Sequence, residues 1–306
     1  MGSLRAQVKI GSIMKVGFIG TGRMGQAMAH RIVAAGHDLA VYNRTTDKTQ
    51  ALAAAGAKVA GSIGEAARYG EAVYTMLADD DALEAVASQP GGLLQSVPKG
   101  GIHICAGTHG VGIIRRLTAA HADKGQILVT AHMLGRPEAV ASGQAGIVAA
   151  GPAEALARCR PLFEAIGRRT FEAGADPAAA AAIKIANNFV LGCAIEAMGE
   201  GFSLVRKYGV VPQVFYDVMT DGLFAAPAYK VYGKIIAEQD YDRVGQKALL
   251  GLKDANLALA AGEAVGAPLP SGNVWRDRLV GALAHGDGDR DWAVMALDQA
   301  RACGLA

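Results

Sequence analysis

Lys184 is the side chain in this sequence that most needs a reason. Between Ala178 and Cys193 the only other polar side chains are Asn187 and Asn188. An ammonium buried without a partner is costly or has its pKa depressed. Asn188 follows one helical turn after Lys184, so on a helix the two share a face. A lysine so placed can protonate an alkoxide as hydride reaches a carbonyl, and in reverse can take the proton of an alcohol. Asn188 can orient the amine or a substrate oxygen. The residues alone leave a second reading open, in which the lysine runs to the surface near the helix start and meets Asp176.

A second constellation lies near the front of the chain. Gly20-Thr21-Gly22-Arg23-Met24-Gly25 follows the apolar run Val16 to Ile19 and precedes a helical pattern over Gln26 to Ala35. In such a loop the first glycine allows a tight turn, the second lets a pyrophosphate approach the backbone, and the third lets helix and strand pack closely. The helix start then offers unbonded amides and a favourable dipole to the phosphates. The next strand ends in Tyr42-Asn43-Arg44-Thr45-Thr46, with no carboxylate to meet a ribose diol or repel a 2′-phosphate. Arg44 supplies a planar guanidinium, so Asn43, Arg44 and Thr45 are expected to select NADP(H) over NAD(H). Asn43 as a turn residue and Thr45 or Thr46 as a helix cap are compatible readings.

The elements that must carry these residues fall into two halves. From Lys15 to about Phe171, runs such as KVGFI, LAVYN, KVA, AVYTML, GIHICA, QILVTA and GIVAAG alternate with Ala-rich helical stretches. That pattern predicts a parallel sheet with helices on both faces. After about Ala173 strand signals stop and helices alternate with Gly, Pro and Asp punctuation. The expected fold is therefore α/β, a Rossmann doubly wound sheet over residues 14–173 followed by an all-helical domain over 174–306. Residues 1–13 read as a leader or cloning remnant. The stretch from Pro177 to Tyr208 reads as one long helix, almost wholly apolar over Ala178 to Cys193, which predicts burial between the domains or against a partner subunit.

Composition narrows the function. The 306 residues carry 30 basic and 28 acidic side chains, a net charge of +2, which argues against nucleic acid or anionic lipid as a partner. No membrane-spanning helix is expected. Four cysteines without CxxC spacing suit a reducing cytoplasm, and no His/Cys/Asp/Glu grouping has metal-ligand spacing.

Taken in order, FIGTGRMGQAMA, YNRTTDK, TMLADDDA, GRPEAVASGQAGIVAAG, KIANNFVLG and LGLKDANLAL resemble the β-hydroxyacid dehydrogenase family from Met14 to near the C-terminus. That family includes 3-hydroxyisobutyrate, tartronate semialdehyde and glyoxylate/succinic semialdehyde reductases. The resemblance implies an active site between the two domains, a homodimer or homotetramer, and a small carbonyl or hydroxy-acid substrate. It places the catalytic lysine on Lys184, its helper on Asn188, and Lys253 near cofactor or substrate with Asp254 as its structural neighbour. It also puts Leu77 and Ala78, after the fourth strand, and Thr108, after the fifth, beside the cofactor.

Two departures concern the substrate. Where the family commonly has a DAPVSGG-like segment, this chain has Thr130-Ala131-His132-Met133-Leu134-Gly135-Arg136-Pro137, with leucine in place of serine. The amides of Leu134, Gly135 and Arg136 could still hold an anion, and Arg136 could bind a carboxylate or form a structural ion pair. Cys105-Ala106 stands where a Ser-Thr pair is usual. His132 and His109 lie nearest these loops, as substrate contacts or as core residues. Asp79 to Asp81 are expected to cap a helix, and Phe224, Tyr229, Tyr232 and Trp292 to pack helices or line the site. Imine reduction and non-catalytic NADP(H) binding are the alternatives; the retained lysine weighs against both.

Overall fold

The computed structural model describes residues 13–305; all of the expected leader but Ile13 lies outside the described residues. The chain divides into two compact units, one ending at Ala181 and the other starting at Ala182.

The first unit runs β1 (Lys15–Ile19), α1 (Arg23–Ala34), β2 (Asp38–Tyr42), α2 (Gln50–Ala54), β3 (Lys58–Val59), α3 (Ile63–Arg68), β4 (Ala72–Thr75), α4 (Asp80–Ser88) and α5 (Leu93–Ser96). It continues through β5 (Ile102–Cys105), α6 (Val111–Asp123), β6 (Ile127–Leu134), α7 (Pro137–Ala141), β7 (Gly146–Ala150), α8 (Ala153–Ile166) and β8 (Arg169–Glu172). The strands form one sheet in the order β3-β2-β1-β4-β5-β6-β7-β8. Strand order reverses between β1 and β4, and the carboxyl ends of strands at such a point are where open α/β sheets bind ligands.

The Rossmann expectation holds, with two additions. The sheet is not wholly parallel: β7 runs antiparallel to β6, with Thr130 opposite Ala150 and Leu134 opposite Gly146. Only Gly135 to Ala145 join them, fewer residues than a parallel crossover needs. The eighth strand, β8, pairs parallel with β7. Its exposed edge sequence RTFE lacks the continuous apolar run that marks the others.

Both faces of the sheet are covered. Phe18 and Tyr74 stack at 5.5 Å on one side with Met28 and Ile32, while Ile63, Leu83 and Leu117 close the other. Local capping follows the residue types: Ser62 accepts from Glu65 N at 3.1 Å and Glu65 from Gly61 N at 2.7 Å at the start of α3. Asp79 caps α4 through Ala82 N at 2.8 Å.

The long helix α9 (Pro177–Lys207) crosses from the first unit into the second. There follow α10 (Pro212–Asp221), α11 (Pro227–Glu238), α12 (Ala248–Ala264), α13 (Pro270–Ala284) and α14 (Met295–Ala302). Proline opens α10, α11 and α13, where its missing N–H costs nothing. The core centres on Trp275 and Trp292, edge to face at 6.2 Å, with Tyr232 against Trp292 at 5.8 Å. A Cβ at Gly192 would overlap the Trp275 ring, which explains a glycine in the middle of α9. Tyr232 and Trp292 are thus core, whereas Phe224 is exposed and packs on Tyr229.

Within the single chain α9 is not buried all round: Ile183, Val190 and Leu204 are exposed, Val190 by 64%. By length and composition alone it is also apolar enough to cross a membrane, where no such helix was expected.

Candidate active site

The glycine loop shows why each of its glycines is required. Gly20 has φ +96°, and a Cβ there would run into the Met76 carbonyl. Gly25 lies in α1, and its Cβ would sit inside the 3.0 Å limit from Gly20 O. Around Gly22, by contrast, a Cβ would meet nothing within 4 Å. Two glycines therefore serve the fold and the middle one leaves open space over the backbone. Gly22 is the N-cap of α1, no side chain caps that end, and no acidic residue stands in its first turn. Thr21 Oγ1 is buried with no hydrogen bond among the described residues. Open amides, an uncapped helix start and an idle hydroxyl fit the pyrophosphate of a dinucleotide.

The loop is braced from β2. Thr21 N donates to Asn43 Oδ1 at 3.0 Å, and Asn43 Nδ2 donates to Thr45 O at 2.9 Å. Asn43 thus braces the turn. Arg44 and Thr45 beside it are exposed, and Arg44 has no ion pair among the described residues. Arg23 pairs with Glu138 at 3.2 Å, and Met24 packs on the core cluster.

The loops after β4 and β5 lie against this turn. A Cβ at Gly20 would touch Leu77 Cδ2 at 3.1 Å, and one at Gly107 would meet Leu77 O at 2.5 Å. Leu77 thus lies between Gly20 and Gly107, with Ala78 and Thr108 the next residues along the two loops. Asp80 does more than begin α4: its Oδ1 accepts from Gly110 N at 3.1 Å and lies 3.1 Å from His109 Nδ1. His109 is fully buried, a brace for these loops.

Beneath them runs a buried chain that the sequence reading missed. Thr75 Oγ1 lies 2.8 Å from His103 Nε2, His103 Nδ1 lies 3.0 Å from His121 Nε2, and His121 Nδ1 lies 2.7 Å from Gln126 Oε1. Gln126 Nε2 donates to Val97 O and Leu94 O, so its Oε1 must accept. The proton order follows: His121 donates to Gln126, His103 to His121, and Thr75 to His103. Burial holds both imidazoles below their usual pKa.

On the β6 side, Leu134 ends the strand, half-buried, and Gly135 takes φ +150°, which an L side chain rarely adopts. Arg136 stands at the N-cap position of α7 without a side-chain cap bond, and its Nε lies 3.7 Å from Glu138 Oε2. His132 is fully buried within β6.

In the second unit Lys184 and Asn188 lie one turn apart on α9, and Asn188 is buried. Asn188 Nδ2 donates to Asp254 Oδ2 at 2.8 Å; Gln246 Nε2 donates to the same oxygen at 2.9 Å; Lys253 Nζ lies 3.0 Å from Asp254 Oδ1. Asp254, expected only as a neighbour of Lys253, is the hub of this group, and Gln246 was not anticipated at all. Burial pushes the Lys184 ammonium down to about 8; Asp254 pulls the other way and Lys253 adds to the lowering. The amine therefore exchanges its proton near neutral pH, the condition for acid–base work. No metal-ligand cluster occurs among the described residues.

Comparison with known proteins agrees with both units. Residues 15–174 match the model for the NAD-binding domain of 6-phosphogluconate dehydrogenase, and residues 178–297 that for the NAD-binding domain of NADP-dependent 3-hydroxyisobutyrate dehydrogenase. The oxidoreductase YfjR of Bacillus subtilis is 42% identical over 92% of this chain and 98% of its own. An NAD-dependent L-serine dehydrogenase of Pseudomonas aeruginosa is 30% identical over 92% of this chain and 96% of its own. The crystal structure of Mycobacterium tuberculosis 3-hydroxyisobutyrate dehydrogenase with L-serine superposes with a TM-score of 0.84 at 26% identity, covering 94% of this chain and 99% of that one. The fold and the site define an oxidoreductase that binds a nicotinamide dinucleotide. The chain belongs to the β-hydroxyacid dehydrogenase family.

Proposed function

We propose that the protein interconverts a short 3-hydroxy acid or alcohol and its aldehyde or keto form with NADP(H), using Lys184 as the general acid and base. The observation that carries this reading is the lysine itself: one turn from Asn188 and near the buried Asp254 carboxylate, with burial pushing its ammonium down to about 8.

When bound, the coenzyme supplies or accepts the hydride. The chain's own groups do the rest. Gly20, Thr21, Gly22, Arg23, Met24 and Gly25 hold the pyrophosphate, while Leu77, Ala78 and Thr108 border the nicotinamide. Arg44 and Thr45 meet the 2′-phosphate, with Asn43 setting the turn that presents them. In reduction the Lys184 ammonium donates its proton to the oxygen of the forming alcohol, and its charge stabilises that oxygen as it becomes anionic. In oxidation the neutral amine takes the hydroxyl proton, so turnover in that direction rises with pH through about 8. Lys253, tied to Asp254, adds a second cation to the site.

The substrate carboxylate, without the usual serine, falls to the Leu134–Gly135–Arg136 segment. Leu134 favours a substrate with an apolar substituent beside the carboxylate. The four cysteines are free thiols, in keeping with a reducing cytoplasm. The exposed apolar residues Val190, Leu204, Val214, Val218 and Leu223 of the second unit are those we assign to contact with a second copy in a homodimer or homotetramer.

The test is NADP(H) turnover on 3-hydroxyisobutyrate, L-serine, glyoxylate, succinic semialdehyde and a cyclic imine, for wild type and Lys184→Ala. The variant should lose at least about a hundredfold in turnover, as expected for a lost general acid, while still binding NADPH. Undiminished turnover without the lysine refutes the proton-transfer role, and preference for the imine refutes the substrate class.

A further inference from the structure

Gln246 stands two residues before α12, and its backbone is pinned. Its carbonyl accepts from Trp292 N at 2.8 Å and its N–H reaches Asp291 Oδ2 at 3.4 Å, both partners being buried. From that fixed point Nε2 donates to the Asp254 oxygen that also serves Asn188. Asp254 is only 4% exposed, so these donors stand in for water.

An ionised carboxylate can only accept hydrogen bonds. Both amides must therefore turn their nitrogens to Asp254, which leaves Asn188 its oxygen, 3.4 Å from Asn187 Nδ2, to offer elsewhere. Asp254 is also the negative charge that favours protonation of Lys184, against Lys253 and burial. Neutral N–H dipoles aimed at a carboxylate draw its charge toward themselves and weaken its field at a nearby ammonium. Gln246 supplies one of the two such dipoles on Oδ2. It lies outside the KIANNFVLG and LGLKDANLAL segments, and its amide oxygen has no partner among the described residues.

We propose that Gln246 is a positioning residue of the Lys184 site: by sharing Asp254 Oδ2 it locks the Asn188 amide with its oxygen as the working end and moderates the carboxylate field at the Lys184 amine. This deepens the acid–base reading of the site and rests on it where turnover is measured; the titration of the amine can be read without it.

The experiment compares the full-length wild type with Gln246→Leu and Gln246→Ser. Competitive acetylation by acetic anhydride across a pH series, with peptide mass spectrometry, reports the half-titration pH of Lys184 directly. The pH profile of kcat for NADP+-dependent oxidation of 3-hydroxyisobutyrate supplies the second readout. Loss of the donor should raise the half-titration pH by about half a unit in either variant, and the activating limb of kcat should move with it. The serine variant decides the matter should the leucine variant not fold. An unchanged or lowered half-titration pH overturns the inference. A raised titration in a protein whose Lys184→Ala variant keeps its turnover upholds the effect of Gln246 on the amine and instead refutes the catalytic reading.

Discussion

The glycine loop separates folding from coenzyme binding, and two alanine substitutions measure that separation. At Gly22 the backbone is extended, φ −67° and ψ −176°, and the added methyl has open space. Losing glycine at an N-cap costs up to about 1 kcal/mol, and stiffening the unfolded chain returns roughly 0.4–1 kcal/mol. Gly22→Ala should therefore change stability by less than about 1 kcal/mol. At Gly25 the methyl would sit inside contact distance of Gly20 O, a backbone atom that cannot rotate away. Such overpacking costs about 1–3 kcal/mol, or roughly 2–12 °C in melting temperature for a unit of this size. NADPH affinity should move differently. Gly22→Ala should weaken binding at least about tenfold, close to 1.4 kcal/mol, because the methyl occupies the space left for the pyrophosphate. Differential scanning calorimetry and titration of nicotinamide fluorescence give both quantities on the same samples. A Gly22→Ala protein that binds NADPH like wild type, or that melts as early as Gly25→Ala, refutes the division of labour.

Arg44→Ala should weaken NADPH much more than NADH in the same fluorescence titration; equal losses would reject the 2′-phosphate assignment. The buried His103 and His121 should make the first unit acid-labile. Their folded pKa values lie below the usual 6.5, so below that pH the unfolded chain binds more protons than the folded one. Stability is then complete above about 6.5 and falls as pH drops, by at most about 1.4 kcal/mol per unit for each imidazole kept neutral; a melting temperature that does not change between neutral and mildly acidic buffer contradicts this. Val190→Asp combined with Val218→Asp should lower the sedimenting mass in analytical ultracentrifugation, and an unaltered mass would remove these residues from any subunit interface.

Much of this architecture was legible because it rests on local signals. GTGRMG between an apolar run and a helical pattern states a strand, a turn and a helix within a dozen residues, and KIANN places two polar side chains one turn apart. What escaped depends on contacts distant in sequence. Edge strand β8 has no face to bury, so RTFE carries no apolar alternation. The reversal at β7 comes from the short span after β6, which strand patterns do not reveal. His103 and His121 read singly as unremarkable histidines, and only the adjacency of β5 and α6 makes them a relay. Gln246 looks like loop polarity until α12 brings Asp254 within 2.9 Å of its amide. The composition of α9 implies burial that the single chain does not provide at Val190, the face proposed to meet a second copy.

Asp80 deserves a last consequence. One carboxylate grips the amide of Gly110 and the ring of His109 while sitting at the head of α4. The two loops proposed to border the coenzyme, 76–80 and 107–110, are therefore tied to each other through this one side chain. A designer altering selectivity at Leu77 or Ala78 would find the change felt at Thr108, and would do better to recombine both loops together than to vary either alone.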